Sequence, residues 1–228
     1  MFPTLRIPSG SLEGLKWLGL ISMTVDHANR FFLAGHSETA YCIGRLALPL
    51  FAFVFAYNLS SINLSNSGHY QRILKRLLFF GVLAIPGYMA MKQLSTPWPF
   101  NILFVFLIAL LLFVLQTQKN IFTSFLAVLV FLLGGLLVEY SWCGIFFCFA
   151  AWSYCRKPSL LTATACFLAY WFLDYLNGNA WALLSLPIIF LAGQTDFKIK
   201  RIPHLFYYYY PAHLTFFWAL QYFLLSQI

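Results

Sequence analysis

Thr24-Val25-Asp26-His27-Ala28-Asn29-Arg30 stands near the end of an apolar run that begins around Leu12 and continues through Trp17, Leu18, Leu20, Ile21, Met23 and Val25. A helix needs about 20 residues at ~1.5 Å each to cross a bilayer, and this run is long enough. An acid, an imidazole and a guanidinium in its last third would each cost roughly 2.5–3.5 kcal/mol or more against lipid. The run therefore reads as a span whose polar end faces other helices or a wet cavity. Ionisable groups so placed point to a functional site. The bland alternative is an Asp26–Arg30 pair at i,i+4 that merely neutralises itself.

Composition carries the same reading across the chain. Of its 228 residues, 61% are hydrophobic, 20% aromatic and only 9% charged, with a mean hydropathy of +0.78. Soluble domains carry about 25% charged residues, so these values describe an all-α, polytopic integral-membrane helical bundle, one transmembrane domain over residues 1–228. Hydropathy divides it into about nine transmembrane helices, near 12–33, 40–61, 73–91, 100–117, 121–138, 142–155, 159–175, 180–194 and 204–225. The segments at 142–155 and 180–194 are short for a crossing, and tilted, interfacial or re-entrant placement stays open for both. The first run is too long, and too polar at its end, for a removable signal peptide.

The net charge of +8 suggests nucleic acid only until the positions are read. Eleven basic residues (Arg6, Lys16, Arg72, Lys75, Arg76, Lys119, Arg156, Lys157, Lys198, Lys200, Arg201) fall in alternate connections or beside them, on one side. The other side holds two, Arg30 and Lys92, with Glu38, Glu139 and Asp174. Positive charge stays inside, which puts the N-terminus in the cytoplasm and the C-terminus outside; the expected location is the cytoplasmic (inner) membrane. The five cysteines show no metal-ligand or redox spacing and read as packing residues. The stretch from Asn63 to Tyr70 reads as a polar inner loop carrying His69, and Ser95 to Pro99 as a rigid outer connection. Trp98, Tyr140, Trp142 and Trp181 fall where interfacial aromatics belong.

Three further spans carry polar residues. In Cys42-Ile-Gly44-Arg45-Leu-Ala-Leu-Pro49, the proline has no amide hydrogen for the Arg45 carbonyl, so a kink and a polar pocket are expected there. Arg45 then lies at a depth similar to Asp26 and His27, unless it snorkels to the interface. Asn101 opens the fourth span, as a helix cap or as a site residue. In Tyr207-Tyr-Tyr-Tyr210-Pro211-Ala-His213, the proline disturbs the turn that carries His213. Neighbours i and i+1 on a helix differ by about 100°, so Asp26 does not orient His27. Its expected partner is Arg45 or Arg30, and whatever orients His27 comes from another helix.

Leu15-Lys-Trp-Leu-Gly-Leu-Ile-Ser-Met-Thr-Val-Asp26-His27, Gly44-Arg45-Leu-Ala-Leu-Pro49-Leu-Phe51-Ala-Phe-Val-Phe-Ala-Tyr-Asn58-Leu, Phe100-Asn101-Ile-Leu-Phe and Tyr210-Pro211-Ala-His213-Leu together resemble the TraX family of membrane proteins. That family takes its name from a pilin N-acetylase and is similar to a broader class of transmembrane acyltransferases. The resemblance implies an acetyltransferase that moves acetyl from acetyl-CoA to an amine or hydroxyl, on a pilin-like protein, a glycan or a small molecule. It implies His27 as the catalytic residue with Asp26 and Arg45 beside it, and Asn101, Tyr210, His213 and Arg30 in substrate binding. His27 would act as general base or become acylated itself, with Arg45 or Asn101 stabilising the oxyanion. The inner basic connections would meet the coenzyme's phosphates. The competing reading is a proton-coupled transporter in which Asp26, His27 and His213 form a relay. No metal and no nucleic acid are expected.

Overall fold

A computed structural model describes residues 4–62, 64, 67–118 and 120–226 of the chain, and they form an all-α protein. Helix α1 (Ser9–Phe32) occupies the first expected segment, α2 (Glu38–Gly44) and α3 (Ala47–Ser60) the second, and α4 (Ser67–Leu83) with α5 (Ile85–Lys92) the third. Then follow α6 (Ile102–Thr117), α7 (Ile121–Leu137), α8 (Ser141–Arg156) and α9 (Leu160–Asn177). A 3-10 turn (Trp181–Leu184) runs into α10 (Ser185–Gln194), and α11 (Leu205–Leu225) ends the described chain. The nine segments read from hydropathy are thus nine helical stretches, two of them divided.

Both divisions have local causes. Between α2 and α3 the backbone tightens, with Arg45 N–H donating to the Cys42 carbonyl at 3.1 Å and Leu46 N–H to that of Ile43 at 3.2 Å. Such i→i+3 bonds fit one turn before Pro49, which cannot receive the Arg45 carbonyl. The chain still runs as one rod, and Glu38–Ser60, with 23 residues, is the described helix that is long and apolar enough to cross a membrane. Between α4 and α5 the bend is 49°, with Pro86 in the first turn of α5. Helix α4 starts six residues before the expected 73, so His69 rides on its first turn and not in a loop. Asn63, Ser65, Asn66 and Lys119 lie outside the described residues.

Two helices organise the interior. Helix α6 is apolar all round, as a fully surrounded helix must be; Val105, Ala109, Leu110 and Phe113 are completely buried against α4, α7 and α8. Helix α1 buries Leu12, Leu15, Gly19, Ser22, Asp26 and Asn29, a single face at three- and four-residue spacing, and packs on α2, α3, α5, α10 and α11. The outside is apolar too. Ile121, Phe125 and Leu133 on α7, Leu161 and Trp171 on α9, and Phe216 and Phe223 on α11 are all well exposed. Trp98, Trp142 and Trp181 are at the surface, but Tyr140 turns inward to a cavity wall. All five cysteines are free, with Cys42 and Cys148 buried.

Candidate functional site

The site begins with Asn29. Its side-chain N–H donates to the Ser37 carbonyl at 2.9 Å and its oxygen accepts from Ser37 N–H at 3.0 Å, which clamps the short connection between α1 and α2. Ser37 then caps α2 by accepting from Ala40 N–H. The clamp lays α2 along the end of α1 so closely that a Cβ on Gly44 would sit 2.9 Å from Asp26 Cγ. A glycine is required at that crossing.

The close approach brings three charges together. Arg30 Nε donates to Asp26 Oδ2 at 3.0 Å, and Arg45 Nη2 lies 3.2 Å from Asp26 Oδ1 as an ion pair whose direction falls outside hydrogen-bond geometry. Asp26 therefore neutralises Arg45 across helices as well as Arg30 along its own. Arg45 does not snorkel. It is buried, its Nε donates to the Tyr41 carbonyl at 3.2 Å, its Nη1 donates to Asn177 Oδ1 at 3.2 Å, and it lies over the Tyr41 ring. Arg30 uses only Nε on Asp26; its two Nη groups have no hydrogen-bond partner among the described residues.

His27 points elsewhere. Its Nδ1 lies 2.7 Å from His213 Nε2 on α11, the two rings are nearly coplanar, and His213 Nδ1 lies 2.8 Å from the Tyr209 carbonyl. A carbonyl only accepts, so His213 Nδ1 carries the hydrogen. The neutral His213 ring then accepts at Nε2 and His27 donates from Nδ1, leaving His27 Nε2 with its lone pair and no partner among the described residues. Tyr209 is fixed in turn: its ring stacks on His213, and its hydroxyl meets Thr24 Oγ1 at 2.8 Å. The Thr24 hydroxyl already donates to the Leu20 carbonyl at 2.7 Å, so Tyr209 is the donor of that pair. Gln221 donates to the Phe31 carbonyl at 2.7 Å, a second tie between α11 and α1.

His27 opens on a cavity of about 770 Å³. Lys16, near the start of α1, lies over the Phe206 ring near the start of α11, and that end of the cavity is basic, with Lys16, Arg201 and His204 on its wall; His69 and Arg76 also line the cavity. The middle is apolar, with Met23, Phe51, Val54 and Phe55. The other end holds Asp26, His27, Arg30, Arg45, Tyr140 and the Lys92–Glu139 ion pair, closed at 2.8 Å. Phe100 N–H bonds to the Leu137 carbonyl and Glu139 N–H to that of Phe100, which pins the entry of α6 to the α7–α8 connection and sets Glu139 and Tyr140 in place.

Six of the seven site residues read from the sequence meet at this end: Asp26, His27, Arg30, Arg45, Tyr210 and His213. His213 lies behind His27, off the cavity wall. Asn101 is not among them. Fully buried, it accepts from Leu103 N–H at 3.1 Å and donates to the Gly81 carbonyl at 2.9 Å, a helix cap that also ties α6 to α4 and lies off the cavity wall. Tyr209, Thr24, Glu139, Lys92, Tyr140 and Asn177 were not picked out from the sequence as site residues. Glu139 and Lys92 did carry a signal, since both fall on the charge-poor side.

The described residues thus form an all-helical protein in which a buried histidine pair adjoins a cavity walled by both cationic and apolar side chains. The chain belongs to the TraX protein family, whose pattern it matches over residues 11–221. It is also similar to the probable fimbrial assembly protein FimC, serogroup H1, of Dichelobacter nodosus, with 36% identity over 121 residues. That match covers 50% of this chain and 43% of the relative, so the chain is matched to less than half of that protein's length. No solved structure matches.

Proposed function

We propose that this protein is a polytopic inner-membrane acetyltransferase that moves acetyl from acetyl-CoA to an amine or hydroxyl acceptor. The observation that carries the reading is the cavity with His27 Nε2 open at one end and Lys16 and Arg201 at the other. Eleven residues of α1 separate Lys16 from His27, ~16 Å of helix rise, a distance an extended pantetheine arm covers. The basic end suits the donor's phosphates, and the apolar middle suits the arm. The apolar outer faces of α7, α9 and α11 fit lipid better than water.

In this reading the acceptor's N–H or O–H gives its proton to His27 Nε2 as the nitrogen or oxygen bonds to the thioester carbonyl carbon. The C–S bond breaks, and His27 returns the proton to the departing thiolate, giving amide or ester and free coenzyme A. Arg30, one turn from His27 on the same face and with both Nη groups unengaged, stabilises the oxyanion. It suits this better than Arg45, whose three nitrogens already hold Asp26, Tyr41 and Asn177. The relative's name supports a pilin-like protein acceptor. The relay reading finds less support, because Asp26 bonds to the two arginines and the histidine pair ends on a carbonyl, which passes no proton onward.

The test is transfer from radiolabelled acetyl-CoA by purified protein, together with a rise in melting temperature when acetyl-CoA is added. His27→Asn keeps size and some hydrogen bonding, so it should leave yield normal and lower transfer by about 10²-fold or more. Near-normal turnover in that variant would refute the reading.

A further inference from the structure

His27 and His213 stand 186 residues apart in the chain, and three elements hold them together. The Tyr209 carbonyl accepts from His213 Nδ1, the Tyr209 ring lies flat against the His213 ring, and the Tyr209 hydroxyl anchors to Thr24 on α1, three residues before His27. Gly87 on α5 lets α11 approach closely, since a Cβ there would meet Leu214 Cβ at 2.8 Å. Each polar atom of the assembly has one available role. A carbonyl cannot donate, so the direction of every hydrogen bond back to His27 is determined.

From this geometry we infer that His213 is the positioning residue of the site, fixing His27 as its Nδ1–H tautomer and aiming Nε2 at the cavity. The inference rests on the acyl-transfer reading. It gives His213 the task that a carboxylate performs behind the histidine of a hydrolase triad, with a neutral ring in place of an anion. His213 touches no substrate in this arrangement; it acts through His27. Without it, the His27 ring is free to turn about its Cβ–Cγ bond and to exchange tautomers, and the fraction presenting a lone pair to the cavity falls. Losing the partner that orients a metal-bound histidine lowers activity about 10- to 100-fold, and a fall of the same order is expected here.

The experiment uses full-length protein with 15N-labelled histidine, read by NMR in nanodiscs alongside transfer kinetics. In the wild type, Nδ1 of both His27 and His213 should carry the hydrogen, the less favoured tautomer of an unconstrained histidine, with each ring assigned by its own variant. His213→Leu should give a mixed His27 tautomer and a fall in kcat of about 10²-fold, with KM for acetyl-CoA within about threefold, a split that loss of fold would not produce. His213→Gln offers an oxygen to accept from His27 Nδ1–H and should restore kcat to within about tenfold of wild type. A wild-type His27 protonated at Nε2, or a tautomer unchanged in His213→Leu, would overturn the assignment. The predicted tautomers in a protein that transfers no acetyl would instead overturn the acyl-transfer reading and, with it, the catalytic meaning of the pair.

Discussion

The Asp26–Arg45 contact invites a double-mutant cycle whose outcome differs for each arginine. Asp26→Asn leaves two cations without their carboxylate. The Arg45 side chain is 6% exposed and that of Arg30 28%, so the two losses are unequal. Breaking a buried pair by removing one partner costs about 3–5 kcal/mol, whereas a partly exposed i,i+4 pair contributes about 0–1 kcal/mol. Asp26→Asn should therefore destabilise by about 3–5 kcal/mol, nearly all of it through Arg45. Arg45→Gln removes the cation and leaves Asp26 paired with Arg30, so the double variant no longer buries an unpaired charge. A coupling of about 2–3 kcal/mol is expected, against about 1 kcal/mol or less for Asp26→Asn with Arg30→Gln. Equilibrium denaturation in mixed micelles gives both values. Additivity within about 0.5 kcal/mol for the Arg45 cycle, or a larger coupling to Arg30, would refute the argument.

Gly44→Ala should push the Asp26 carboxylate aside and destabilise by about 1–3 kcal/mol, measured by the same denaturation; an unchanged midpoint would mean that α2 does not cross α1 at this point. Alkaline phosphatase fused after Gly178 should be active, and fused after Lys198 inactive; the opposite pattern would invert or break the proposed topology. In oriented proteoliposomes, acetyl-CoA on the side of Lys16 and Arg201 should acetylate an impermeant amine supplied only on the far side, since both line the cavity and His27 lies ~16 Å further along α1 than Lys16. Product formed only with both substrates on the basic side would show that transfer does not cross the protein.

Helix existence was legible because most of the apolar stretches are bounded by charges, prolines or polar turns, and all nine reappear as helical stretches among the described residues. The breaks inside them were harder to read. Pro49 announced a disturbance near Arg45, but whether the helix kinks or tightens depends on what α2 packs against. The early start of α4 was hidden because Ser67 to Tyr70 are polar and turn-prone, so they read as loop in isolation. Asn101 shows the converse. Asparagine before an apolar helix is an ordinary cap signal, and the structure uses it as one, with the Gly81 carbonyl as a second anchor that no local pattern could reveal. Arg45 was legible as a partner for Asp26 because a short connection places both at one depth. The His27–His213 bond was not, because it depends on the rotation of α11 about its own axis, which Gly87 and Gln221 set by tertiary contact.

The division of labour within Asp26-His27 follows from the same helical geometry. Leu12, Leu15, Gly19, Ser22, Asp26 and Asn29 form one buried face of α1, the face that meets α2 at Gly44 and holds the interhelical connection through Asn29. Lys16, Leu20, Met23, His27 and Arg30, spaced four, three, four and three residues apart, form the next face round and line the cavity. The two stripes differ by the ~100° between successive residues, so adjacent positions in the sequence serve different neighbours. Asp26 lies at the seam and touches both: one oxygen goes to Arg45, which ties α2 to α1, and the other to Arg30 on its own helix. His27 is turned to the cavity and to α11. A change in the Asp26 stripe should therefore appear first in stability, and a change in the His27 stripe first in turnover, even where the substituted residues are sequence neighbours.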